Sequence, residues 1–565
     1  MAFHWTTIVF TVDGAILNND EQDSLARGVF APGAGKSTRH DDSWRITIAR
    51  NLCSLTAISI IAPFAGWVSL SFVCRIHSER VWDYGPGWLA MAVQRMLRGQ
   101  PLYTGLFDSF SPKIVYNPLS ILVAAILTPL FGQNPFAPLE GGRLFVVSGT
   151  ALTCILIVLL ARREGGSSTA SLILAMCFLL SPLLEPLGFD FRVDVPALAL
   201  ELAGLYLFEE QLPWAAVVLF ILAFFTKQSY VAGIGAVLLY LLLNQRWRSM
   251  LLIGFGWLIS VSMLIVMMQT VWPYYMTNVY YATAPIFAFR ASLSLDASAL
   301  LRHFAIFALA AGFLIRKGPK VSPAACFLLV AAASDAAFAM RWGSNTYYFL
   351  PTVAAGAIVA APELTDLLDL LASLSLPLQV LSGLAIAWVV SAQVAFARDD
   401  LGQLWRTALP HRPGCSRPAT GSWDARALER LRLAKGTVFT DTPELMFVVP
   451  SARIGGTDLA VLRSMRERGL FDDSQFLGAI RNHEFAMFAF DGAKLDKEYR
   501  GIAFFWPDLR KTIEANYQAV PNIGPPFLMV PKEAAATLPS VAKARRSQSF
   551  RSAPATLTQP GFIGG

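Results

Sequence analysis

The chain has 565 residues, of which 55% are hydrophobic and only 15% are charged, so it is more apolar than an ordinary soluble domain. The formal net charge of +7 by itself suggests a nucleic-acid partner. Many of the basic residues, however, flank apolar runs, where they orient helices in a membrane. The composition therefore excludes a nucleic-acid-binding protein and predicts a polytopic membrane protein that contacts the lipid bilayer.

Changes in composition divide the chain into four parts. Residues 1–44 are polar and predict a cytoplasmic, disordered tail, and residues 532–565, rich in Ala, Ser, Pro and Arg, predict a second one. Residues 45–397 contain the apolar runs and form the predicted α-helical transmembrane module. Residues 398–531 have a soluble composition and predict a small α/β domain, with strands at 437–440, 446–449 and 484–490 and a helix at 458–467.

The basic residues set the predicted topology. Arg45 and Arg50 precede the first apolar run, which places the N-terminus in the cytoplasm. The run 119–131 is too short at about 1.5 Å per residue to cross a hydrocarbon core of about 30 Å, so we predict an in-plane or re-entrant helix in the outer interface. Loops 161–166, 209–213, 244–248, 316–320 and 363–376 are then cytoplasmic. Eleven spans are predicted, at 53–73, 143–161, 168–186, 195–208, 213–226, 229–243, 249–270, 299–315, 321–339, 347–362 and 377–396.

Under this topology, polar residues collect on the outer side. The first outer loop, 74–118, carries Asp83, Lys113, Tyr116 and Asn117, and further outer segments carry Arg192 and Asp194, Lys227, Tyr274 and Tyr275, and Arg341, Asn345 and Tyr347. A charge near the membrane centre costs at least about 2.5 kcal/mol, so several charges at one level predict a shared hydrated cavity.

These residue types match what transfer of a sugar from a lipid phosphate requires. The reaction needs a base for the acceptor proton, cations for the developing phosphate charge, and a groove for the carrier. Asp83 is the candidate base, and Asp194 is a second acid that joins it around a divalent ion such as Mg²⁺ or Mn²⁺ or shapes the acceptor site. The candidate phosphate ligands are Lys113, Arg192, Lys227 and Arg341, and the candidate groove residues are Tyr116, Asn117, Tyr274, Tyr275, Asn345 and Tyr347.

Each assignment has a structural alternative. Asp83 also fits a cap of the helix that follows it, although its loop favours the functional interpretation. Arg192 and Asp194 fit an ion pair at an interface, and Lys227 fits a side chain that extends to the lipid headgroups. The tyrosines fit an aromatic belt. The case for a site rests on the shared side of all these residues.

Two further protein classes compete with an enzyme. A transporter or flippase for a lipid-linked or other amphipathic substrate also uses broken helices and buried charges. One long first outer loop and an outer soluble domain make this chain lopsided, whereas transporters often have paired halves, which favours the enzyme. A non-catalytic assembly subunit would leave the clustered outer charges unused.

The motifs around these residues resemble those of a known superfamily. An acid in the first outer loop, RGQPLY at 98–103 and SPKIVYNPL at 111–119 are followed by FRVD at 191–194, TKQS at 226–229 and GSNTYY at 343–348. This pattern resembles the GT-C superfamily of polytopic membrane glycosyltransferases, in particular the bacterial branch related to protein mannosyltransferases and lipid A aminoarabinose transferases. The resemblance covers about residues 50–400.

The resemblance implies a GT-C fold in the bacterial inner membrane, with the N-terminus cytoplasmic and the soluble domain periplasmic. It also implies a polyprenyl-phosphate-linked sugar donor, a periplasmic glycan, lipid or protein acceptor, inversion at the anomeric carbon, and Asp83 as the catalytic acid. Many relatives carry two adjacent acids here, whereas Tyr84 follows Asp83 in this chain, so Asp194 is the best match for the second acid.

Overall fold

The structure is a computed structural model. It describes residues 39–78, 84–105, 114–184, 187–283, 297–298, 301–317, 321–340, 346–395, 423–449, 453–456, 458–490, 498–499, 502–503, 505–521 and 523–535. The predicted tail 532–565 therefore lies almost entirely outside the described residues, and so does most of the tail 1–44.

The described residues between 39 and 395 are mainly helical. The helices are α1 (Arg39–Arg75), α2 (Tyr84–Leu97), α3 (Leu119–Leu127), α4 (Ala137–Arg163), α5 (Ser168–Leu179), α6 (Asp194–Glu209), α7 (Pro213–Thr226), α8 (Ala232–Leu243), α9 (Trp247–Val271), α10 (Phe304–Lys317), α11 (Pro323–Ala339), α12 (Leu350–Ala372) and α13 (Leu376–Ala395). Short 3₁₀ turns lie between these helices at Thr128–Phe131 and Thr346–Phe349, and a π-helical turn lies at Thr277–Tyr281. Each predicted span overlaps one of these helices, although the span at 168–186 extends beyond the end of α5 at Leu179.

Length and apolar composition suffice for crossing a membrane in three of the described helices. These are Leu55–Arg75, Ala137–Arg163 and Trp247–Val271. Six further apolar helices are shorter, among them Leu119–Phe131, the segment predicted to lie in the plane of the interface. Helix α9 exposes a long apolar face, including Leu252, Met263 and Val266, as expected for a surface that contacts lipid.

Ion pairs join the predicted cytoplasmic loops to one another. Arg163 contacts Glu210, Lys317 Nζ lies 3.1 Å from Glu164 Oε2, and Arg316 Nε lies 3.0 Å from Glu363 Oε1. Four loops that the charge pattern assigns to one side therefore meet at one end of the helical module. We call this end, defined by these ion pairs, the inner end.

The soluble domain contains a five-stranded mixed sheet with the order β2-β1-β3-β7-β6. Strand β1 pairs in parallel with β2 and β3, and β7 pairs antiparallel with β3 and β6. The strands are β1 (Thr437–Thr440), β2 (Arg453–Gly456), β3 (Phe485–Phe490), β6 (Tyr517–Ala519) and β7 (Phe527–Pro531), with β4 (Glu498–Tyr499) and β5 (Ile502–Ala503) forming a separate antiparallel pair. The helices are α14 (Ala425–Leu433), α15 (Leu445–Val448), α16 (Leu459–Glu467), α17 (Ser474–Arg481), α18 (Pro507–Asn516) and α19 (Lys532–Ala535).

One predicted strand of this domain is wrong. Residues 446–449 belong to the short helix α15 and the turn after it, because the backbone amides of Leu445 and Met446 bond back to the carbonyls of Thr442 and Pro443. The apolar run that suggested a strand packs as this helical turn, and β2 takes the place beside β1 in the sheet.

The soluble domain packs against the helical module beside α2. Phe447 belongs to the same buried cluster as Trp88 of α2 and Tyr275, and its ring lies 5.8 Å from that of Phe136. Arg468 donates a hydrogen bond of 3.2 Å to the carbonyl of Ala282. The domain is thus held against the segments that follow α1 and α9.

Candidate active site

Asp194 and Lys227 meet in a buried ion pair. Asp194 is the first residue of α6, and Lys227 follows Thr226, the last residue of α7, where the backbone becomes extended (φ −148°, ψ 122°). The Nζ atom of Lys227 bonds to Oδ1 of Asp194, and the two side chains are only 8% and 3% exposed. Removing charges from water this completely costs several kcal/mol per ion, so each of them requires the other.

Aromatic rings surround the Lys227 ammonium. Its Nζ lies 4.3 Å from the ring centroid of Tyr348 and 5.6 Å from the centroids of Tyr347 and Tyr230. The rings of Tyr347 and Tyr348 stack on each other with centroids 5.4 Å apart. These cation–π contacts fix the position of the positive charge without neutralising it.

Arg192 places a second cation beside the ring of Tyr347. The centre of its guanidinium lies 5.0 Å from the Tyr347 ring, and its Nη1 lies 3.5 Å from the Tyr116 hydroxyl oxygen. Burial raises the pKa of Tyr116 above its usual value, and the nearby Arg192 counteracts part of this rise. We call Tyr116, Arg192, Asp194, Lys227, Tyr347 and Tyr348 the cation cluster.

The first turn of α2 lies against this cluster. A side-chain Cβ at Gly85 would clash with Nη1 of Arg192 and would lie 3.5 Å from the Tyr116 hydroxyl. Glycine at this position therefore permits the helix to approach the guanidinium directly. Gly85 follows the candidate base Asp83 by two residues in the sequence.

Two predicted groove residues have a different environment. Asn117 and Tyr275 are fully buried, and the Tyr275 hydroxyl donates a hydrogen bond of 2.5 Å to Oδ1 of Asn117. Asn117 also donates from Nδ2 to the carbonyl of Phe224 at 2.7 Å, which fastens the outer loop to the last turn of α7. Tyr274 is 46% exposed. The structure therefore joins Asn117 to Tyr275 in a packed core that lies beside the cation cluster, since Tyr116 packs against the same hydrophobic core.

The described residues thus unite five of the predicted site residues, namely Tyr116, Arg192, Asp194, Lys227 and Tyr347. Asp83, Lys113, Arg341 and Asn345 lie outside the described residues. Within the described part of the chain, no group of three or more His, Cys, Asp and Glu side chains is arranged to hold a metal ion.

Sequence reasoning missed a second buried ion pair beside the cluster. Nε of Arg143 lies 3.0 Å from Oδ1 of Asp190, and neither side chain is exposed. Arg143 also donates from Nη1 to the carbonyl of Ser78, which ties α4 to the end of α1. The sequence could have indicated this pair, because an arginine in a long apolar helix requires a buried partner.

A cavity of about 390 Å³ lies away from the cation cluster. Its lining includes Glu209, Trp214, Tyr240 and Arg246, which belong to the ends of α6 to α9. Glu209 also pairs with Arg163 at 3.9 Å, so the cavity lies at the inner end.

The fold as a whole is similar to that of solved glycosyltransferases. The structure of ArnT from Cupriavidus metallidurans bound to undecaprenyl phosphate aligns over 84% of this chain and 97% of that chain, with 15% sequence identity and a TM-score of 0.50. ArnT in the apo state aligns over 86% and 99%, with 13% identity and a TM-score of 0.53. This chain has the GT-C fold.

A family model adds the class of activity to this GT-C chain. The N-terminal domain of the alpha-(1->6)-mannopyranosyltransferases matches residues 110–244, which include Tyr116, Arg192, Asp194 and Lys227. The predicted enzyme class, a GT-C glycosyltransferase, is confirmed.

One further solved structure is similar over part of the GT-C chain. The Archaeoglobus fulgidus oligosaccharyltransferase, tethered to an acceptor peptide containing the NVT sequon, aligns over 71% of this chain and 64% of that chain, with 13% identity and a TM-score of 0.45. No curated protein matches the chain significantly.

Proposed function

We propose that this enzyme transfers a sugar from a polyprenyl-phosphate donor to an acceptor at the periplasmic face of the bacterial inner membrane, with inversion. The observation that carries the proposal is the cation cluster, in which Arg192 and Lys227 both face the ring of Tyr347. Two buried cations in one cluster suit a phosphate, and ArnT, which has the same fold, has been solved with undecaprenyl phosphate. Because the matching family model describes mannopyranosyltransferases, mannose is the first sugar to test.

The proposed reaction is a direct displacement. Asp83, as a base or an orienting acid, removes the proton of the acceptor hydroxyl, whose oxygen attacks the anomeric carbon. The bond from that carbon to the phosphate oxygen breaks, and the polyprenyl phosphate leaves with the bonding electrons. Arg192 and Lys227 stabilise the charge that develops on the phosphate, and Lys113 and Arg341 are further candidates for this role.

Asp194 has a more limited part in this proposal. Its carboxylate is occupied by Lys227 and is almost fully buried, which suits a residue that holds the ammonium in place. A base must reach the acceptor proton, and Asp83, two residues before Gly85, remains the candidate for that role.

The ion pairs between the loops at the inner end support the proposed topology. Loops at 161–166, 209–213, 316–320 and 363–376 are joined by ion pairs, away from the cation cluster. A cysteine at Gln245 is expected to react with an impermeant thiol reagent only from the cytoplasmic side, and one at Lys435 only from the periplasmic side. Labelling of both from the same side would contradict this topology.

The experiment that tests the function is a transfer assay with purified enzyme and polyprenyl-phosphate mannose, together with lipid analysis of a strain that lacks the protein. We expect turnover of the donor in vitro and accumulation of an unused lipid-linked sugar in the strain. Lys227→Met is expected to abolish transfer, whereas Lys435→Met, at an exposed lysine of the soluble domain, is the matched control. Equal turnover by both variants would contradict the phosphate assignment.

A further inference from the structure

Two buried acids lie in the helical module, and neither was assigned a role by the sequence motifs. Glu201 lies in the middle of α6 and is 1% exposed, and Asp335 lies in α11 and is 5% exposed. An ionisable side chain inside a membrane segment is costly, so its retention calls for a specific partner.

Both acids bind the first turn of a neighbouring helix. Oε1 of Glu201 accepts a hydrogen bond of 2.9 Å from the amide of Gly233, the second residue of α8. Oδ2 of Asp335 accepts 3.1 Å and 2.6 Å bonds from the amide and the hydroxyl of Thr352, the third residue of α12. Free amides at these positions are normally satisfied by the side chain of the residue that precedes the helix.

In both helices that preceding residue has no acceptor to offer. It is Val231 for α8 and Phe349 for α12, and neither makes a side-chain cap. The carboxyl oxygen from another helix supplies the acceptor that the missing cap would have provided.

The two capped helices begin immediately after the segments that carry the cation cluster. Lys227 lies five residues before Ala232, the first residue of α8, and the Tyr347–Tyr348 pair lies in the 3₁₀ turn that leads into α12. Tyr348 and Lys227 contact each other, so the two segments form the two sides of one binding surface.

We propose that Glu201 and Asp335 are positioning residues that fix these two segments relative to each other, so that both can bind the donor phosphate. The inference rests on the proposed function, since it assigns the support of the same site. Glu201 fixes the Lys227 side through α8, and Asp335 fixes the tyrosine side through α12. Neither residue touches the donor itself.

The test compares variants that lose the cap with variants that keep it. Asp335→Ala and Glu201→Ala remove the acceptor, whereas Asp335→Asn and Glu201→Gln retain an oxygen in the same place. We expect the alanine variants to weaken binding of undecaprenyl phosphate, and to raise the KM for the donor, about fivefold or more, the factor that corresponds to loss of one helix cap. The amide variants should recover binding to near the wild-type value.

A double-mutant cycle separates positioning from general stability. In a Lys227→Met background, Asp335→Ala should weaken undecaprenyl phosphate binding by much less than it does alone, because both act on one surface. If an alanine variant does not fold, Thr352→Val, which removes only the hydroxyl bond to Asp335, is expected to raise the donor KM about twofold, a modest loss for a single hydrogen bond.

The outcomes distinguish the two proposals. Tight binding of undecaprenyl phosphate by wild type and equally tight binding by both alanine variants, or an unchanged KM in Thr352→Val, would overturn the inference and leave the proposed function intact. Failure of the wild-type enzyme to bind undecaprenyl phosphate would overturn the proposed function and the inference with it.

Discussion

Lys227 and Arg316 are both cations paired with carboxylates, but they lie at opposite ends of the helical module. The side chains of Lys227 and Asp194 are 8% and 3% exposed, whereas those of Arg316 and Asp366 are 53% and 54% exposed. Water can replace either partner of the exposed pair, whereas the buried pair is largely shielded from water. The same chemical pairing therefore contributes little at the inner end and holds a desolvated charge in place at the opposite end of the helical module.

Lys227→Met is expected to have the largest effect, because it removes a cation and leaves Asp194 buried without its partner. Breaking such a pair costs about 3–5 kcal/mol of stability, and loss of a contact to the leaving phosphate reduces turnover about 100-fold or more. Chemical denaturation and the transfer assay measure the two effects.

The double variant Asp194→Asn/Lys227→Met sharpens this result. Removal of both charges should recover much of the stability and none of the activity. Recovery of transfer in the double variant would show that the pair serves only the fold.

Asp83→Asn is expected to reduce turnover about 100-fold or more with an unchanged melting temperature, because a general base is lost while a helix cap is retained. Steady-state kinetics and thermal melting of purified protein measure this. Near-normal transfer by the folded variant would limit Asp83 to capping.

Gly85→Ala is expected to lower kcat/KM by on the order of 10-fold to 100-fold, because the added methyl group displaces the guanidinium of Arg192. Gly478→Ala is the matched control, since a Cβ at that helical glycine of the soluble domain meets nothing within 4 Å. If both variants retain wild-type kcat/KM, the approach of α2 to Arg192 has no part in catalysis.

Arg316→Gln is expected to have the smallest effect, with almost no loss of stability and no change in turnover. The Arg316 side chain remains 53% exposed in its pairs with Glu363 and Asp366, and the hydrogen bond with Asp366 is the main cause that raises its pKa. A large loss of activity in this variant would contradict the claim that the exposed ion pairs of Arg316, unlike the buried pair of Lys227, have no part in catalysis.

Much of this arrangement was predictable, because hydropathy and the positions of basic residues determine where helices start and end. Asp194, Lys227 and Tyr347 were grouped by their shared side alone, and the described residues bring them together. The pairing of Asp194 with Lys227 itself was not predicted, since it depends on how α6 and α7 pack.

The remaining features depend on tertiary contacts that no local pattern records. Glu201 and Asp335 cap helices that are distant in sequence, and Arg143 binds Asp190 across the module. Residues 446–449 form an apolar run that resembles a strand, yet the turn at Pro443 leads them into the short helix α15 and the turn after it. Local periodicity cannot distinguish these cases because the deciding partner lies elsewhere in the chain.

The central claim is that the cation cluster binds the phosphate of a lipid-linked donor, and phosphorus-31 NMR of a short-chain polyprenyl phosphate tests it most directly. We predict that wild type and Arg316→Gln shift and broaden the phosphate resonance in the same saturable way, whereas Arg192→Gln weakens this binding about 10-fold or more, as expected for loss of a charge-assisted contact. Equal binding by Arg192→Gln and Arg316→Gln would contradict the assignment of the phosphate site to the cation cluster.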